Sequence, residues 1–493
     1  MRAFLARLFF YVRIALEKSI LILWGRKTRL PSNSFLILQL PPVEQDLNSA
    51  LAEWDETTYP YFIPYKTSQE FTIRLNQLLQ GTKAEIIYFD HAIQDPTSPP
   101  FLKPIWSPEL WLNVDILFAA AFRADFVKRL SAQSGEKLIP RAVLSANQIE
   151  HFPLIVLQTD SFPWQDARFL LHHRQTVQDY LDLLGVPAPE IDIRPNGSLR
   201  FTWQKSDQPV SVIIPNRNNF ALLKRCIESI YENTSLIPFE VLVIDDHSSD
   251  PRLIEYYQTL QKERPNFRVI EGRAPFNFSY ACNQGARHAA GDYLLFLNND
   301  TEILSPDWLQ NLVGIASLPG VGAVGAKLLY PNGRVQHAGV VIGLEGHASH
   351  VFQGVKGDPF TPYGYVDWMR NVSAVTAACM LVRKAAFWEV GGFDEQFQIA
   401  FGDIDFCLRL RDVGYRIVYT PDVILIHHEG KSRGRYIPPP DLQVKADTFL
   451  QKVAEGDPYY HPALSRAWRF PSLRWRGEFD PAERLQKIIQ YFD

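Results

Sequence analysis

The stretch Leu294-Leu295-Phe296-Leu297-Asn298-Asn299-Asp300-Thr301 decides the fold, because an apolar run stops abruptly at two amides and a carboxylate. A continuous apolar run is typical of a buried parallel strand, and ligands of α/β sheets bind just beyond the carboxyl ends of such strands. Asp300 is therefore a candidate ligand-binding residue. The structural alternative is that it caps a following helix, a role that Asp and Asn favour.

Strands and helices alternate upstream of this stretch. The apolar runs 210–215 and 239–244 predict strands, and the segment 220–231 and the Asp250-Pro251 pair predict a helix after each. A third strand near 268–270 and a helix over 279–288 complete the alternation, which predicts a parallel sheet with helices on both faces. Polar or acidic clusters follow three of the strands, at Asn216 to Asn219, Asp245/Asp246 and Asn298 to Asp300. Their shared position predicts a site at one edge of the sheet.

The sequence narrows the chemistry of this edge. It contains neither a glycine-rich dinucleotide fingerprint nor a Walker-type phosphate loop, so the usual signatures of hydride transfer and ATP hydrolysis are missing. A carboxylate edge without such loops suits a divalent cation that binds substrate phosphates, because Mg²⁺ and Mn²⁺ prefer oxygen ligands.

A second group of polar residues lies further along the chain. Asp403 and Asp405 flank an apolar residue just before a helical pattern. They either cap this helix or place a general base near the metal site. The apolar run 423–426 ends in His427-His428, which is either structural or part of a metal site.

Six motifs, in this order, resemble glycosyltransferase family 2, and most of all bacterial enzymes of O-antigen and surface-polysaccharide assembly that are rhamnosyltransferase-like. The resemblance covers about residues 209 to 435. The motifs are Asn216-Arg217-Asn218, Ile244-Asp245-Asp246-His247-Ser248, Phe296-Leu297-Asn298-Asn299-Asp300, Gly391-Gly392-Phe393-Asp394, Asp403-Ile404-Asp405 and His428-Glu429.

The resemblance implies a GT-A fold, that is, an α/β domain with a mixed, mostly parallel sheet, and an inverting enzyme that uses a nucleoside diphosphate sugar. Asp403 would be the catalytic base, and Asp300 and His428 would bind Mn²⁺ or Mg²⁺ at the diphosphate. The residues implied in donor binding are Pro215, Asn216, Arg217, Asp245, Asp246, Asn283, Arg287, Asn298 and Asn299. Those implied in the acceptor and sugar pocket are Trp308, Gly392, Asp394 and Asp405.

Two positions depart from the family pattern. Asn298 stands at the first carboxylate position of the DXD motif, which leaves Asp300 as the remaining acid. Gly402 precedes the implied base, where many relatives carry an acid. Both variants occur within the usual range of the family, so we expect activity to be retained.

The first part of the chain shows a faint internal repeat. Four pairs of segments resemble each other: 86–90 and the strand before Asp300, 107–111 and 305–309, 119–126 and 377–387, and 149–153 and the segment before His427. We therefore predict a shortened, degenerate GT-A-like domain over residues 31–175. Because it has no counterpart of the Asp403/Asp405 pair, we expect a structural or acceptor-binding role for it.

The remaining segments are an N-terminal helix, a connector and an extension. Residues 1–27 are apolar but interrupted by charges, so no run approaches the roughly 20 residues of a membrane span. Their spacing predicts an amphipathic helix over 1–30 that either lies on a membrane surface or packs on the next domain. Residues 176–208 are interpreted as a connector, 209–435 as the catalytic domain and 436–493 as a C-terminal extension.

Composition agrees with an intracellular enzyme. The four cysteines lack the spacing of zinc sites and lie in or near apolar segments, which predicts buried thiols. The net charge of −4 argues against nucleic acid as a partner. We expect a cytoplasmic protein, peripheral at the inner face of the cytoplasmic membrane if residues 1–27 bind lipid.

The predicted activity is transfer of one sugar from a nucleoside diphosphate sugar to a hydroxyl of a growing, lipid-linked surface glycan. A processive synthase is disfavoured because the sequence has no membrane-spanning helices to couple synthesis to export. The alternative from another class is a catalytically silent glycan-binding or scaffold protein of a polysaccharide assembly complex.

Overall fold

The computed structural model describes residues 61–62, 75–79, 81–95, 97–118, 120–134, 137–235, 237–428, 441 and 449–492. The predicted helix over 1–30, most of residues 31–74 and the basic residues that follow His428 lie outside this set. Within the described residues, no helix is long and apolar enough to cross a membrane.

A four-stranded sheet organises the first part of the chain. Its strands lie in the order β1-β3-β2-β4, and only β2 and β4 run parallel. The strands are β1 (Tyr61–Phe62), β2 (Ile86–Ile93), β3 (Ala120–Arg123) and β4 (Ile149–Thr159). The helices of this part are α1 (Pro108–Asn113), α2 (Ala124–Ser134), α3 (Leu138–Ser145) and α4 (Ala167–Leu184).

The predicted connector contains regular structure. Helix α4 continues past residue 176, where the connector was predicted to begin. Gly185 ends the helix in the left-handed conformation at φ 66°. A hairpin of β5 (Glu190–Ile193) and β6 (Leu199–Thr202) then leads into the second domain.

The second domain is built on a ten-stranded sheet whose main order is β11-β18-β12-β17-β10-β7-β8-β9. Four of the seven neighbouring pairs on this path are parallel, which confirms the predicted α/β class with a mixed, mostly parallel sheet. Its strands are β7 (Val210–Asn216), β8 (Phe239–Asp245), β9 (Phe267–Glu271), β10 (Tyr293–Leu297), β11 (Thr301–Ile303), β12 (Val321–Leu329), β13 (Val335–His337), β16 (Arg370–Val372), β17 (Cys379–Arg383) and β18 (Arg416–His427); β14 (Val340–Ile342) and β15 (Ala348–His350) form a separate hairpin.

Helices cover the sheet at positions that the sequence pattern predicts. Every residue of β7 and β10 is buried, as expected for strands covered on both faces. Asp250 caps its helix by accepting a hydrogen bond from the Arg252 N–H, with Pro251 in the first turn. The helices are α5 (Phe220–Asn233), α6 (Pro251–Glu263), α7 (Phe278–His288), α8 (Trp308–Ser317), α9 (Lys384–Glu389), α10 (Gly402–Asp412) and α11 (Pro481–Phe492).

The small sheet has the same pairing pattern as four neighbouring strands of the large sheet. In the order β1-β3-β2-β4, and likewise in the order β10-β17-β12-β18, the first two pairs are antiparallel and the third is parallel. Tyr61 lies opposite Arg123 as Tyr293 lies opposite Arg383. Both parallel pairs, β2–β4 and β12–β18, shift register beside a proline, namely Pro153 and Pro421. Strand β2 therefore corresponds to β12, not to the strand before Asp300 as the sequence comparison aligned it. The pairing pattern of the small sheet therefore matches the second half of the large sheet's domain.

A buried ion pair joins the two domains. Glu109 on α1 is 1 % exposed, and its carboxylate accepts hydrogen bonds from the Arg416 guanidinium at 2.7 to 3.1 Å and from the Asn371 amide at 2.6 Å. Because a buried charge is costly unless it is paired, this contact fixes how α1 sits on β18.

Candidate active site

Two acidic residues follow strand β8, and they have different environments. Asp245 accepts hydrogen bonds from the Ser248 N–H at 2.9 Å, the Ser248 hydroxyl at 2.6 Å and the Tyr257 hydroxyl at 2.8 Å. Its carboxylate is thus occupied by the protein and holds the loop in place.

Asp246 is the acceptor that this loop leaves free. Its side chain is 4 % exposed, and neither carboxylate oxygen has a hydrogen-bond partner among the described residues. The nearest cation is Arg217, whose Nη1 lies 3.7 Å from Oδ2. A buried carboxylate without partners costs free energy, so such a group is usually kept for a ligand.

The loop after β10 connects to both neighbouring loops. The Asn299 amide donates a hydrogen bond of 2.6 Å to Oδ1 of Asn216, which joins it to the loop after β7. On the other side, Nε2 of His427 lies 3.1 Å from Oδ1 of Asp300. Burial alone would raise the pKa of Asp300, but the hydrogen bond and charge of His427 hold it below the usual range. Asp300 is therefore a carboxylate at this site.

The histidine that contacts Asp300 is not the one that the resemblance assigns. His428 donates its backbone N–H to the Asp300 carbonyl at 2.9 Å, while its Nε2 lies 3.5 Å from Oε2 of Glu302. The reason is that successive side chains of a strand point to opposite faces, and β18 extends to His427. The imidazole beside the Asp300 carboxylate is therefore that of His427, whereas the predicted metal ligand His428 lies beside Glu302.

The donor set at this edge fits a divalent cation. Asp300 offers oxygen and His427 offers nitrogen, both less than a tenth exposed, and Nδ1 of His427 and of His428 are buried without hydrogen-bond partners in the described part of the chain. Carboxylate and imidazole together suit Mn²⁺ well, and carboxylate with phosphate oxygens suits Mg²⁺.

Asp403 lies at the start of α10, and its carboxylate contacts the segment that precedes β17. Its Oδ2 accepts a hydrogen bond from the Ala377 N–H at 3.1 Å, and its Oδ1 accepts one from the Ile404 N–H at 2.9 Å. Burial raises the pKa of Asp403, and these N–H groups oppose the rise without cancelling it. A carboxylate with a raised pKa is a stronger base.

The predicted donor-binding residues Asn283 and Arg287 and the predicted pocket residue Asp405 hold the loop 390–395. Asn283 is 3 % exposed and exchanges hydrogen bonds with the backbone of Phe393, which satisfies its amide. Arg287 lies 3.8 Å from Glu395, and Asp405 is bound to Arg409, which donates to the carbonyls of residues 390 and 392. These residues position the loop through α7 and α10.

Gly392 lies in the loop for a steric reason. Its φ is +74°, and a Cβ atom there would lie 2.7 Å from Oδ1 of Asn283. Asp394, also predicted for the sugar pocket, is half-buried and accepts a hydrogen bond from the Gln396 N–H at 2.9 Å.

Trp308 is a correction to the predicted pocket. Its side chain is fully buried, and its indole N–H donates to the Thr234 hydroxyl at 2.9 Å. An apolar residue at the start of α8 faces the core under β12 and β18, so Trp308 does not reach a bound sugar.

A second cluster of potential metal ligands lies between the domains, where Asp90 contacts two histidines. His151 Nε2 lies 2.9 Å from Oδ1 of Asp90, and His461 Nε2 lies 3.2 Å from Oδ2. His461 Nδ1 accepts the Ala463 N–H at 3.0 Å, so its Nε2 carries the proton and is not available to a metal. We interpret this cluster as a buried polar contact in which Asp90 of β2 binds His151 of β4 and lies beside His461 of the C-terminal extension.

Comparisons with known proteins agree with this geometry. Residues 211–391 match the family model described as glycosyl transferase family 2. The O-antigen biosynthesis protein RfbC of Myxococcus xanthus is 35 % identical over 402 residues, which cover 76 % of this chain and 30 % of that protein. The N-acetylglucosaminyl-diphospho-decaprenol L-rhamnosyltransferase of Mycobacterium tuberculosis (strain ATCC 25618 / H37Rv) is 29 % identical over 223 residues, covering 40 % of this chain and 69 % of the relative.

Similar solved structures include GalNAc-T7 with UDP, GalNAc and Mn²⁺, with a TM-score of 0.39 and 16 % identity over 54 % of this chain and 51 % of that one. The chain spans 30 % of the length of RfbC and of a second relative, the y4gI protein of Sinorhizobium fredii, at 40 % identity over 280 residues. The family match and the mixed α/β sheet confirm the GT-A fold class for the second domain. Residues 211–391, which contain Asp300, thus match glycosyltransferase family 2.

Proposed function

We propose that this protein moves one sugar from a nucleoside diphosphate donor to a hydroxyl of a growing surface glycan, in a single inverting displacement that depends on a divalent cation. The observation that carries the proposal is the short connection between Asp403 and the loop of Asp300. Ala377 donates its N–H to Asp403, and the next residue, Ala378, accepts the N–H of Asn298. The implied base and the implied metal site are thus held by adjacent residues.

The donor nucleoside is proposed to bind between the loops after β7 and β8. Asp246 supplies a buried carboxylate that no described residue hydrogen-bonds, and it can accept hydrogen bonds from ribose hydroxyls or a base N–H. Arg217 is 59 % exposed beside it and is free to turn toward phosphate oxygens. Pro215, Asn216 and Asp245 shape this pocket from below.

Asp300 and His427 are proposed to hold Mn²⁺ or Mg²⁺ at the diphosphate. When bound there, the cation neutralises the negative charge that develops on the leaving diphosphate. Asn298 and Asn299 are proposed to position the loop of Asp300. The Asn298 N–H donates to the Ala378 carbonyl, and the Asn299 amide donates to Oδ1 of Asn216.

Asp403 is proposed to take the proton of the acceptor hydroxyl as that oxygen attacks the anomeric carbon. The C–O bond to the diphosphate breaks on the opposite face, which inverts the configuration. The names of the relatives favour a polysaccharide acceptor, and a deoxyhexose such as rhamnose is a reasonable first donor sugar. A lipid-linked acceptor and a cytoplasmic location remain predictions from the sequence.

A nucleotide-release screen tests this function. Purified protein is incubated with Mn²⁺ or Mg²⁺ and a panel of nucleotide sugars, with Asp300→Ala as the control. We expect slow release of nucleoside diphosphate from one donor, lost with chelator and in the variant. If no donor binds by calorimetry, the catalytically silent scaffold becomes the better account.

A further inference from the structure

Residues 466–476, which we call the basic-aromatic loop, are rich in arginine and aromatic residues. This segment contains four arginines, three aromatic residues and no acid, in a chain whose net charge is −4. The proposed sugar transfer uses none of these residues. The net charge of the loop is therefore positive, whereas that of the whole chain is negative.

The loop has a fixed backbone. Leu464 and Leu473 form an antiparallel bridge, and the Ser465 N–H donates to the Ser472 carbonyl at 2.7 Å. On one side, Arg469 is bound to Glu345 at 2.7 Å, and its carbonyl accepts the Phe352 N–H. The exposed side chains of the loop are thus presented by an ordered structure, which lowers the entropic cost of binding.

The exposed side chains of the loop are both apolar and cationic. Trp468 is 53 % exposed and Phe470 is 38 % exposed, although large apolar side chains are usually buried. The ring centroids of Trp468 and Trp475 lie 5.9 Å apart, so the two rings are neighbours. Arg474 and Arg476 are exposed, and no carboxylate of the described residues lies within ion-pair distance of either.

We propose that the basic-aromatic loop binds the surface of a bilayer that contains anionic phospholipid. Tryptophan rings prefer the headgroup region of a bilayer, where one edge is apolar and the other is wet. Arginine binds phosphate oxygens in a bidentate manner. An anionic headgroup layer satisfies both requirements at once, whereas an apolar protein surface would leave the arginines without partners. The proposal goes beyond the sugar-transfer function, and its test needs no substrate.

Vesicle sedimentation with the full chain tests the proposal. Binding is measured to vesicles of mixed phosphatidylcholine and phosphatidylglycerol and to vesicles of pure phosphatidylcholine. We expect binding to the mixed vesicles only. One arginine near an anionic surface is worth about 1 kcal/mol, so the double variant Arg474→Glu/Arg476→Glu should reduce the partition coefficient by about thirtyfold or more.

Two further variants separate this surface from general charge effects. Trp468→Ser/Phe470→Ser should weaken binding without changing the net charge. The matched control is Lys205→Glu/Lys262→Glu, which changes the net charge as much as the arginine variant does but uses exposed lysines outside the loop. We expect this control to reduce the partition coefficient much less than the arginine variant does.

A site-specific probe reports whether the loop itself enters the interface. The four native cysteines are buried, so an environment-sensitive dye can be attached selectively to Phe470→Cys in the folded protein. We expect a blue shift with mixed vesicles and none with pure phosphatidylcholine. The proposal is overturned if the wild type binds neither vesicle, if both loop variants bind like the wild type, or if the dye does not respond. It is also overturned if the loop variants change self-association in sedimentation velocity but not vesicle binding.

Discussion

The carboxylate of Asp403 accepts a hydrogen bond of 3.1 Å from the backbone N–H of Ala377. Because Ala378 accepts the N–H of Asn298, the two residues before β17 join the start of α10 to the loop after β10. The segment that leads into β17, the strand antiparallel to both β10 and β12, therefore contacts both sites. It sets the distance between the proposed base and the proposed metal site.

His427 should contribute more to metal binding than His428. Its Nε2 lies 3.1 Å from the Asp300 carboxylate, whereas that of His428 lies beside Glu302. We expect His427→Ala to weaken Mn²⁺ binding by roughly tenfold or more, since even indirect partners of metal ligands have effects of that size. Titration followed by electron paramagnetic resonance measures the affinity, with His428→Ala as the matched control. A larger loss in His428→Ala would restore the assignment made from the sequence.

Asp246 and Asp245 should differ although they are adjacent. Asp246→Asn removes a carboxylate that has no hydrogen-bond partner among the described residues, so we expect nucleotide affinity to fall by about tenfold to a hundredfold with little change in Tm. Asp245→Asn disrupts bonds to Ser248 and Tyr257 and should lower the free energy of unfolding by about 1 to 2 kcal/mol. Calorimetry with nucleoside diphosphates and thermal melting of both variants distinguish the two roles. Equal nucleotide affinity in Asp246→Asn and the wild type would contradict this assignment.

The pH profile of donor turnover should report the environment of Asp403. A base must be deprotonated, so the rate falls as the pH drops through its pKa. Burial raises the pKa of Asp403, which places the acid limb above the ordinary aspartate value of about 4. An acid limb at or below this value, measured where the protein remains folded, would argue against Asp403 as the titrating group.

Asp405 should behave as a structural residue and not as a sugar ligand. Its carboxylate is 6 % exposed and binds the Arg409 guanidinium at 2.8 Å, and Arg409 in turn binds the carbonyls of Val390 and Gly392. We expect Asp405→Ala to reduce stability by about 2 kcal/mol. Denaturant unfolding measures this change, and Asp394→Ala, a half-buried acid of the same loop, is the control. An increase in acceptor KM without loss of stability would contradict this role.

Much of the second domain is predictable from its sequence, because buried strands have continuous apolar runs and end at polar clusters. The predicted strand over 293–297 matches β10. The predicted helix over 279–288 ends where α7 ends, and α7 begins one residue earlier, at Phe278. The positions of Asp300 and Asp403 beside regular elements are predictable in the same way, and their roles stay predictions.

The errors concern the direction of side chains, which depends on pairing partners that sequence does not reveal. Which histidine of the His427-His428 pair meets Asp300 depends on the antiparallel pairing of β11 with β18. Trp308 follows a motif that suggests a pocket, but the face of α8 that packs on the sheet decides its burial. Strand alternation along β18 is the signal that could have placed the His427 side chain beside Asp300.

The most direct test of the account is the initial rate of donor turnover in Asp403→Asn compared with the wild type, with donor affinity measured by calorimetry on both. We predict that the rate falls by roughly a hundredfold to ten-thousandfold while the donor Kd stays the same, because the base acts on the attacking oxygen and not on the bound nucleotide. A general base of this kind contributes at least about a hundredfold to the rate. An Asp403→Asn rate within a factor of about two of the wild-type rate would therefore contradict the assignment.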